Sequence, residues 1–444
     1  MGVAHLLPFN VFLTAFDYFN TNLSKVSKSF EFYISNIMTW GTCSSLSFDL
    51  FFCSYLENKK RKRNLDKQKQ DNKKKKLKFT NRIIGGYIIY ILTTGSVPII
   101  MKFCTLKVAF GLIMANVTFV GLSTGICQGG VFGFAAIFEP KYTTAIMSGQ
   151  GFAGIIVSFL RVITKGITHQ TTKGIRNSAF AYFIASSCIV FLITVGYYIL
   201  INTQFAKYYI SKYFYYLQSE NCNLIITENE KGDNLKYCSS EIEIDTPINL
   251  SENNFINGED DSLLPNNTPK EIKLWSLYKK ISRFSFSVFF TFFISLTLFP
   301  SVMVQIPSTR NHLNTTGWFA LILITLFNSV DTFGRTLPRW IPNLFSDNFL
   351  VIIVLSRLIF FILFMLCVEK VIFTDSVSII IIIIFSITNG YPGSISMMRG
   401  PFADGVKENE RSTAAVIMTL SLQYGLAVGS ATSFIFIPLI KALK

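Results

Sequence analysis

Apolar residues in this chain run in long unbroken blocks separated by short polar stretches, rather than alternating as in a half-buried strand or forming the narrow stripe of a soluble amphipathic helix. A hydrocarbon core about 30 Å thick needs about 20 helical residues to cross it, and many of the blocks reach that length. Lipid offers backbone N–H and C=O groups no water, so blocks this long are expected to be helices, barrel strands needing only about 10 residues. The pattern predicts eleven spans, near 2–20, 32–55, 83–103, 107–137, 143–164, 178–203, 284–306, 316–337, 348–368, 376–398 and 412–440. The expected fold class is an all-α polytopic membrane protein.

Residues 206–283 break this pattern with Asn, Glu, Asp and Ser and read as a flexible linker. It divides the chain into a six-span bundle (1–205) and a five-span bundle (284–444), a layout expected of two bundles related by a pseudo-twofold axis normal to the membrane. Composition agrees: half of the 444 residues are apolar and 15% are aromatic. The formal charge of +15 changes the picture only through its placement. Thirteen of the 26 residues from Glu57 to Arg82 are Lys or Arg, and 206–283 adds nine more. Under the positive-inside rule both segments lie in the cytosol. Four spans separate them, so they share a side; the N-terminus is then cytosolic and the C-terminus outside.

The Lys-rich loop 57–82 reads as a solvated juxtamembrane segment or as a contact for anionic membrane lipids, worth about 1 kcal/mol per basic residue near the surface. Nucleic-acid binding is not expected, because no groove-reading or stacking element accompanies the charge. The eight cysteines show no CxxC spacing and read as reduced packing residues, with neither disulfide framework nor metal site implied. The apolar N-terminus lacks a basic lead and a small-residue cleavage site, and reads as a first span rather than a secretory signal.

Candidate chemistry sits where lipid would not tolerate it. In LILITLFNSVDTFGRTL, Asn328, Asp331 and Arg335 stand three and four residues apart, so they can share one helix face and converge on one cavity. A charge at the bilayer centre costs roughly 2.5 to 3.5 kcal/mol on insertion scales, so such residues normally face a bundle interior. Two readings are open: Asp331 and Arg335 grip a polar ligand, or they neutralise one another as a latch. Asn328 favours the ligand, since a latch needs no third polar group, and a carboxylate, a guanidinium and an amide suit a neutral molecule with hydroxyls or ring nitrogens. Gln128 is a second amide in an apolar span, flanked by glycines that would admit a flat ligand, though on its own such a residue is more often a helix-to-helix hydrogen bond than a ligand contact. Pro8 interrupts backbone pairing and either presents Phe9 with Asn10 at an opening or, the safer reading, is an ordinary helix kink, while Asn389 and Pro392 read as a similar broken-helix site. Gly125, Gly129 and Gly133, Gly149 with Ala153, and Gly425 with Gly429 are small residues at four-residue spacing, expected to let helices pack closely.

Enzymatic readings fare poorly. His5, His169 and His312 are scattered, no GxSxG elbow or P-loop occurs, and no cofactor is implied.

The blocks LLPFNVFLTAFDYF, CQGGVFGFAAIFEPKYTTAIMSGQGFAG, FNSVDTFGRTL and TNGYPGSISMM, in that order, resemble the signatures of the equilibrative nucleoside transporter family. The resemblance covers all the spans and leaves the two cytosolic loops unmatched. It implies a six-plus-five fold similar to the major facilitator superfamily, carrying nucleosides or nucleobases by alternating access. Residue by residue it implies that Asp331 and Arg335, with Gly334 between them, contact the ribose, that Gln128 faces the base, and that Asn328 matches the polar residue ahead of the acid. Gly149 and Gly154 match fifth-span glycines linked to transport and inhibitor sensitivity. Phe9 departs from the tryptophan usual in LLPWN, so a smaller ring lines that part of the site. The lead into this motif, Met1 to Leu6, is also shorter than the family's, which implies a short first helix or a missing start. The Lys-, Asn- and Ile-rich composition resembles protozoan-parasite members that import host purines, with the plasma membrane as the expected location. A proton-coupled symporter using Asp49 or Asp331, and a receptor that binds nucleosides without moving them, are the alternatives.

Overall fold

A computed structural model describes residues 1–15, 18–19, 30–61, 68–167, 172–211, 274–315, 317–371 and 374–443. The long helices in chain order are α1 (Gly2–Thr14), α2 (Phe30–Arg61), α3 (Gln68–Phe103), α4 (Leu106–Ala135), α5 (Pro140–Ile167) and α6 (Thr172–Asn202). After the linker come α7 (Leu274–Leu298), α8 (Trp318–Thr336), α9 in two pieces (Asp347–Ser356 and Ile359–Val368), α10 (Asp375–Arg399) and α11 (Arg411–Leu443). Among the described residues eight helical segments are long and apolar enough to cross a membrane, falling in α3 to α7 and α9 to α11. α1 is shorter, and α8 carries the polar residues of the candidate site. Large apolar side chains such as Phe48, Leu92, Phe119, Phe191 and Ile362 face outward, as a hydrocarbon surround requires.

Several boundaries differ from the hydropathy pattern. The Lys-rich loop is partly helical, since α2 runs to Arg61 and α3 starts at Gln68; residues 62–67 lie outside the described part. Likewise α7 begins at Leu274, ten residues inside the expected linker, because Leu277 and Ile281 are buried and start its apolar face early. The linker's centre, 212–273, and the acid Asp17 lie outside the described residues. The broken-helix site at Pro392 and the opening at Pro8 are absent: α1 and α10 run through both prolines, whose surroundings are buried and leave no open backbone segment. A break occurs instead in α9, where amides at Leu358, Phe360 and Phe361 bond three residues back to Leu355, Arg357 and Leu358. Such a tightened turn inside a helix marks strain or a hinge.

Glycines decide which helices approach. Each half is held together by close crossings, and further crossings join one half to the other. A Cβ at Gly125 would collide with Ser45 and the backbone at Thr42, and one at Gly129 would stand 2.8 Å from Leu46, so α4 lies directly on α2. Gly133 is buried on the same helix and its carbonyl accepts from Ser412 of α11 at 3.2 Å. A Cβ at Gly149 would stand 3.2 Å from the backbone of Gly2, so its absence seats α5 on α1. Gly425 and Gly429 fit against the carbonyls of Phe289 and Phe293, which lets α11 lie along α7. α8 is wedged between α10 and α5, and α11 also packs on α2 and α4.

Candidate functional site

Asp331 is 4% exposed and Arg335 7% exposed on α8, and their side chains bond each other: Arg335 Nε donates to Asp331 Oδ2 at 2.6 Å. The other carboxylate oxygen, Oδ1, accepts from Asn389 Nδ2 of α10 at 2.7 Å. Gly334 and Gly390 allow this, since a Cβ at Gly334 would stand 3.1 Å from the Ile387 carbonyl and one at Gly390 would strike the backbone of α8 at Asp331. The amide of Asn389 is oriented in turn by Ser295 of α7, whose hydroxyl donates to Oδ1 at 2.5 Å. That hydroxyl accepts from Arg357 Nη2 at 2.7 Å. Arg357 sits at the break in α9, fully buried, with Nη1 on the Phe385 carbonyl at 3.2 Å and its guanidinium 4.9 Å from the Phe385 ring. The result is one connected chain of hydrogen bonds from Arg357 through Ser295 and Asn389 to Asp331, drawn from four helices, in which Asn389 shares the Ser295 hydroxyl proton with the Thr291 carbonyl at 2.8 Å.

Arg335 is left with spare capacity. Its guanidinium carbon lies 5.4 Å from the Phe292 ring centroid, but among the described residues no group accepts from either terminal amino group. A buried guanidinium has five N–H donors in a planar fork, so the terminal ends can take hydroxyl or carbonyl oxygens of a ligand. In this structure Nε forms the latch and the terminal nitrogens donate to no partner among the described residues.

Asn328 is not part of this convergence. Its Nδ2 donates to Ser158 Oγ at 2.9 Å and to the Gly154 carbonyl at 3.4 Å, both on α5. Three residues turn a helix by about 300°, and here α5 and α10 occupy the two neighbouring faces of α8. Gly154 and Gly151 bring α5 so near that Asn328 and Thr332 are taken up by it. The support that Asn328 was expected to give to the ligand reading falls away; it acts as a clasp between the halves.

Gln128 does face inward, at 1% exposure on α4. Its oxygen accepts from Gln423 Nε2 of α11 at 2.5 Å, and its own Nε2 is buried with no partner among the described residues. His5 of α1 stands beside it, also 1% exposed. Phe9, one turn further along α1, is partly buried against the core of the first half. Sequence reasoning passed over Ser295, Arg357, Gln423 and the position of His5. An arginine within LVIIVLSRLIFFILFML, as unlikely in lipid as Asp331, was the signal that could have found Arg357. Asp49 forms an ion pair with Arg82 at the α2–α3 end of the first half. Among the described residues no cluster of His, Cys, Asp and Glu could hold a metal ion.

Long apolar helices enclosing a charged and amide-rich interior, with polar clasps between two halves, define a polytopic membrane transporter. In overall shape the chain is similar to a major facilitator superfamily proton:xylose symporter solved with 6-bromo-6-deoxy-D-glucose, with a TM-score of 0.59 at 10% identity over 100% of this chain and 88% of that one. A partially occluded inward-open xylose transporter from E. coli gives 0.53 at 9% identity, covering 99% and 96%. The nucleoside transporter family model matches residues 114–437, and the chain belongs to that family. It is 28% identical to equilibrative nucleoside transporter 1 of Homo sapiens over 98% of this chain and 95% of that protein. It is also 25% identical to equilibrative nucleoside transporter 2 of Mus musculus (98% and 95%) and 23% identical to equilibrative nucleotide transporter 1 of Arabidopsis thaliana (98% and 84%). The family is one of transporters, not of enzymes.

Proposed function

We propose that this chain carries purine nucleosides and nucleobases down their gradient across a membrane, most directly the plasma membrane, by alternating access. In this reading eleven spans form bundles of six (1–205) and five (284–444), joined by the cytosolic segment 206–283, with the N-terminus cytosolic and the C-terminus outside. The substrate sits between the bundles, its sugar hydroxyls on Arg335 and Asp331, its base against Gln128 and Phe9. Asn328 serves the cycle as an interbundle clasp rather than a ligand contact. Gly125, Gly129, Gly133, Gly149 and Gly154 provide smooth crossings on which helices can rock.

The observation that carries this reading is the half-used guanidinium of Arg335, buried beside a carboxylate whose two oxygens are already held in place. The relatives are equilibrative nucleoside transporters, which supplies the substrate class.

The test is radiolabelled uptake by the purified chain in liposomes, competed with a panel of purine and pyrimidine nucleosides and bases, with and without a protonophore. Purine competition that persists when the pH gradient is collapsed supports the facilitative reading. Uptake that disappears with the gradient contradicts it in favour of proton symport, and binding without uptake would make the chain a receptor.

A further inference from the structure

His5 is sealed inside α1, yet neither ring nitrogen meets a partner at hydrogen-bonding geometry among the described residues. The Gln128 amide lies beside the ring. That amide is itself incomplete, with its oxygen taken by Gln423 and its Nε2 buried and unpaired. Two polar side chains, from α1 and α4, thus meet with donors and acceptors unspent, and Gln423 of α11 joins them through the Gln128 oxygen. Native interiors pair the great majority of buried polar atoms, so a cluster of exceptions points to a missing partner.

The cluster is built rather than accidental. Gly2 lies against the α5 backbone at Ile146 and Gln150, and the Tyr87 hydroxyl of α3 donates to the Met1 carbonyl at 3.1 Å, which together fix the first turn of α1. His5 N–H donates to that same Met1 carbonyl at 3.2 Å. The ring is therefore held by packing and backbone bonds with the Gln128 side chain at its edge, and its pairing there is incomplete.

We propose that His5, with Gln128 and Gln423, reads the hydrogen-bonding edge of the base and makes the carrier accept 6-amino and 6-oxo purines alike. This rests on the nucleoside-carrier reading above. A neutral imidazole has one donor and one acceptor and can exchange them by changing tautomer, and an amide can exchange its two ends by rotating. The 6-amino edge offers an acceptor at N1 and a donor at N6; the 6-oxo edge offers a donor at N1 and an acceptor at O6. A site of interchangeable groups meets both patterns, whereas a fixed donor or acceptor would reject one.

The experiment uses the full chain in liposomes and compares adenosine, inosine and purine riboside, which has no substituent at C6. The parent protein takes adenosine and inosine with comparable KM and prefers both to purine riboside. His5→Leu raises the KM for adenosine and inosine by about five- to fiftyfold, the loss expected for a buried partner left unmet, and erases the preference over purine riboside. His5→Gln, which keeps a donor and an acceptor, restores most of it. His5→Met serves as the apolar variant should His5→Leu fail to elute as a monodisperse species. Unchanged discrimination in the apolar variant overturns the proposal, as does an equal loss for all three nucleosides that His5→Gln leaves in place. A parent protein that carries no nucleoside at all contradicts the carrier reading itself.

Discussion

Ser295 is the residue on which the buried relay turns, because one hydroxyl both accepts from Arg357 and donates to Asn389. Removing it leaves an amide oxygen and a guanidinium nitrogen buried without partners, at a cost of about 1 to 3 kcal/mol. Ser295→Ala is therefore expected to lower the melting temperature of the detergent-solubilised chain. An unchanged melting temperature would mean that Arg357 and Asn389 are held by other means. Asp331→Asn acts differently, since it strips the one acid that, among the described residues, is in direct contact with this relay, and leaves Arg335 and Arg357 uncompensated. Breaking a buried pair from one side costs about 3 to 5 kcal/mol, so this variant is expected to lose uptake at normal surface expression, measured as labelled adenosine entry per molecule at the surface. At this scale the sequence was half legible. Asp331, Arg335 and Gln128 declared themselves by being polar where lipid should be, but His5, Gln423 and Ser295 are ordinary letters whose meaning depends on which helices meet.

Among the helices, hydropathy located α2 to α11 because a membrane demands long apolar runs regardless of their neighbours. It did not locate the break in α9 at Arg357, since the residues around it are uniformly apolar and the turn tightens only where the guanidinium bonds Ser295 and the Phe385 carbonyl. Nor did it show that α10 stays continuous through Pro392. The glycine spacing was read as close packing, and the crossings of α4 on α2 and α11 on α7 have that form. Their importance is unequal, which gives a sharp contrast. Gly390→Val would drive a branched side chain into the α8 backbone at Asp331 and is expected to abolish monodisperse expression. Gly85→Ala meets nothing within 4 Å and is expected to express and melt like the parent. Equal behaviour of the two in size-exclusion chromatography would contradict the α8–α10 contact.

Across the whole molecule, the two halves meet through α5 with α8 and through α11 with α2 and α4. Among the described residues the polar contacts at these seams are few: Asn328 with Ser158 and the Gly154 carbonyl, Ser148 with the Arg335 carbonyl at 3.3 Å, Gln423 with Gln128, Ser412 with the Gly133 carbonyl, Ser35 with Ser430 at 3.0 Å and Ser47 with Tyr424 at 3.1 Å. Interfaces of small residues and a few hydrogen bonds can slide or part at modest cost, as a rocking carrier needs. A cysteine pair at Ser158 and Asn328 is expected to cross-link under oxidant and stop uptake, with recovery on reduction, while each single cysteine variant continues to transport. Full activity in the oxidised, cross-linked chain would show that α5 and α8 do not separate during the cycle. The seam was invisible in the sequence because Asn328 had been assigned to the charged stripe beside it, and only the depth of Gly151 and Gly154 decides which neighbour claims it.

Counterflow in proteoliposomes tests the central claim most directly, because it reports exchange through one site without any driving gradient. Vesicles preloaded with unlabelled adenosine are expected to accumulate labelled adenosine transiently when they contain the parent chain, and to show no overshoot when they contain Arg335→Ala at equal incorporation. An undiminished overshoot in Arg335→Ala would show that the unpaired guanidinium fork is not where the nucleoside is held.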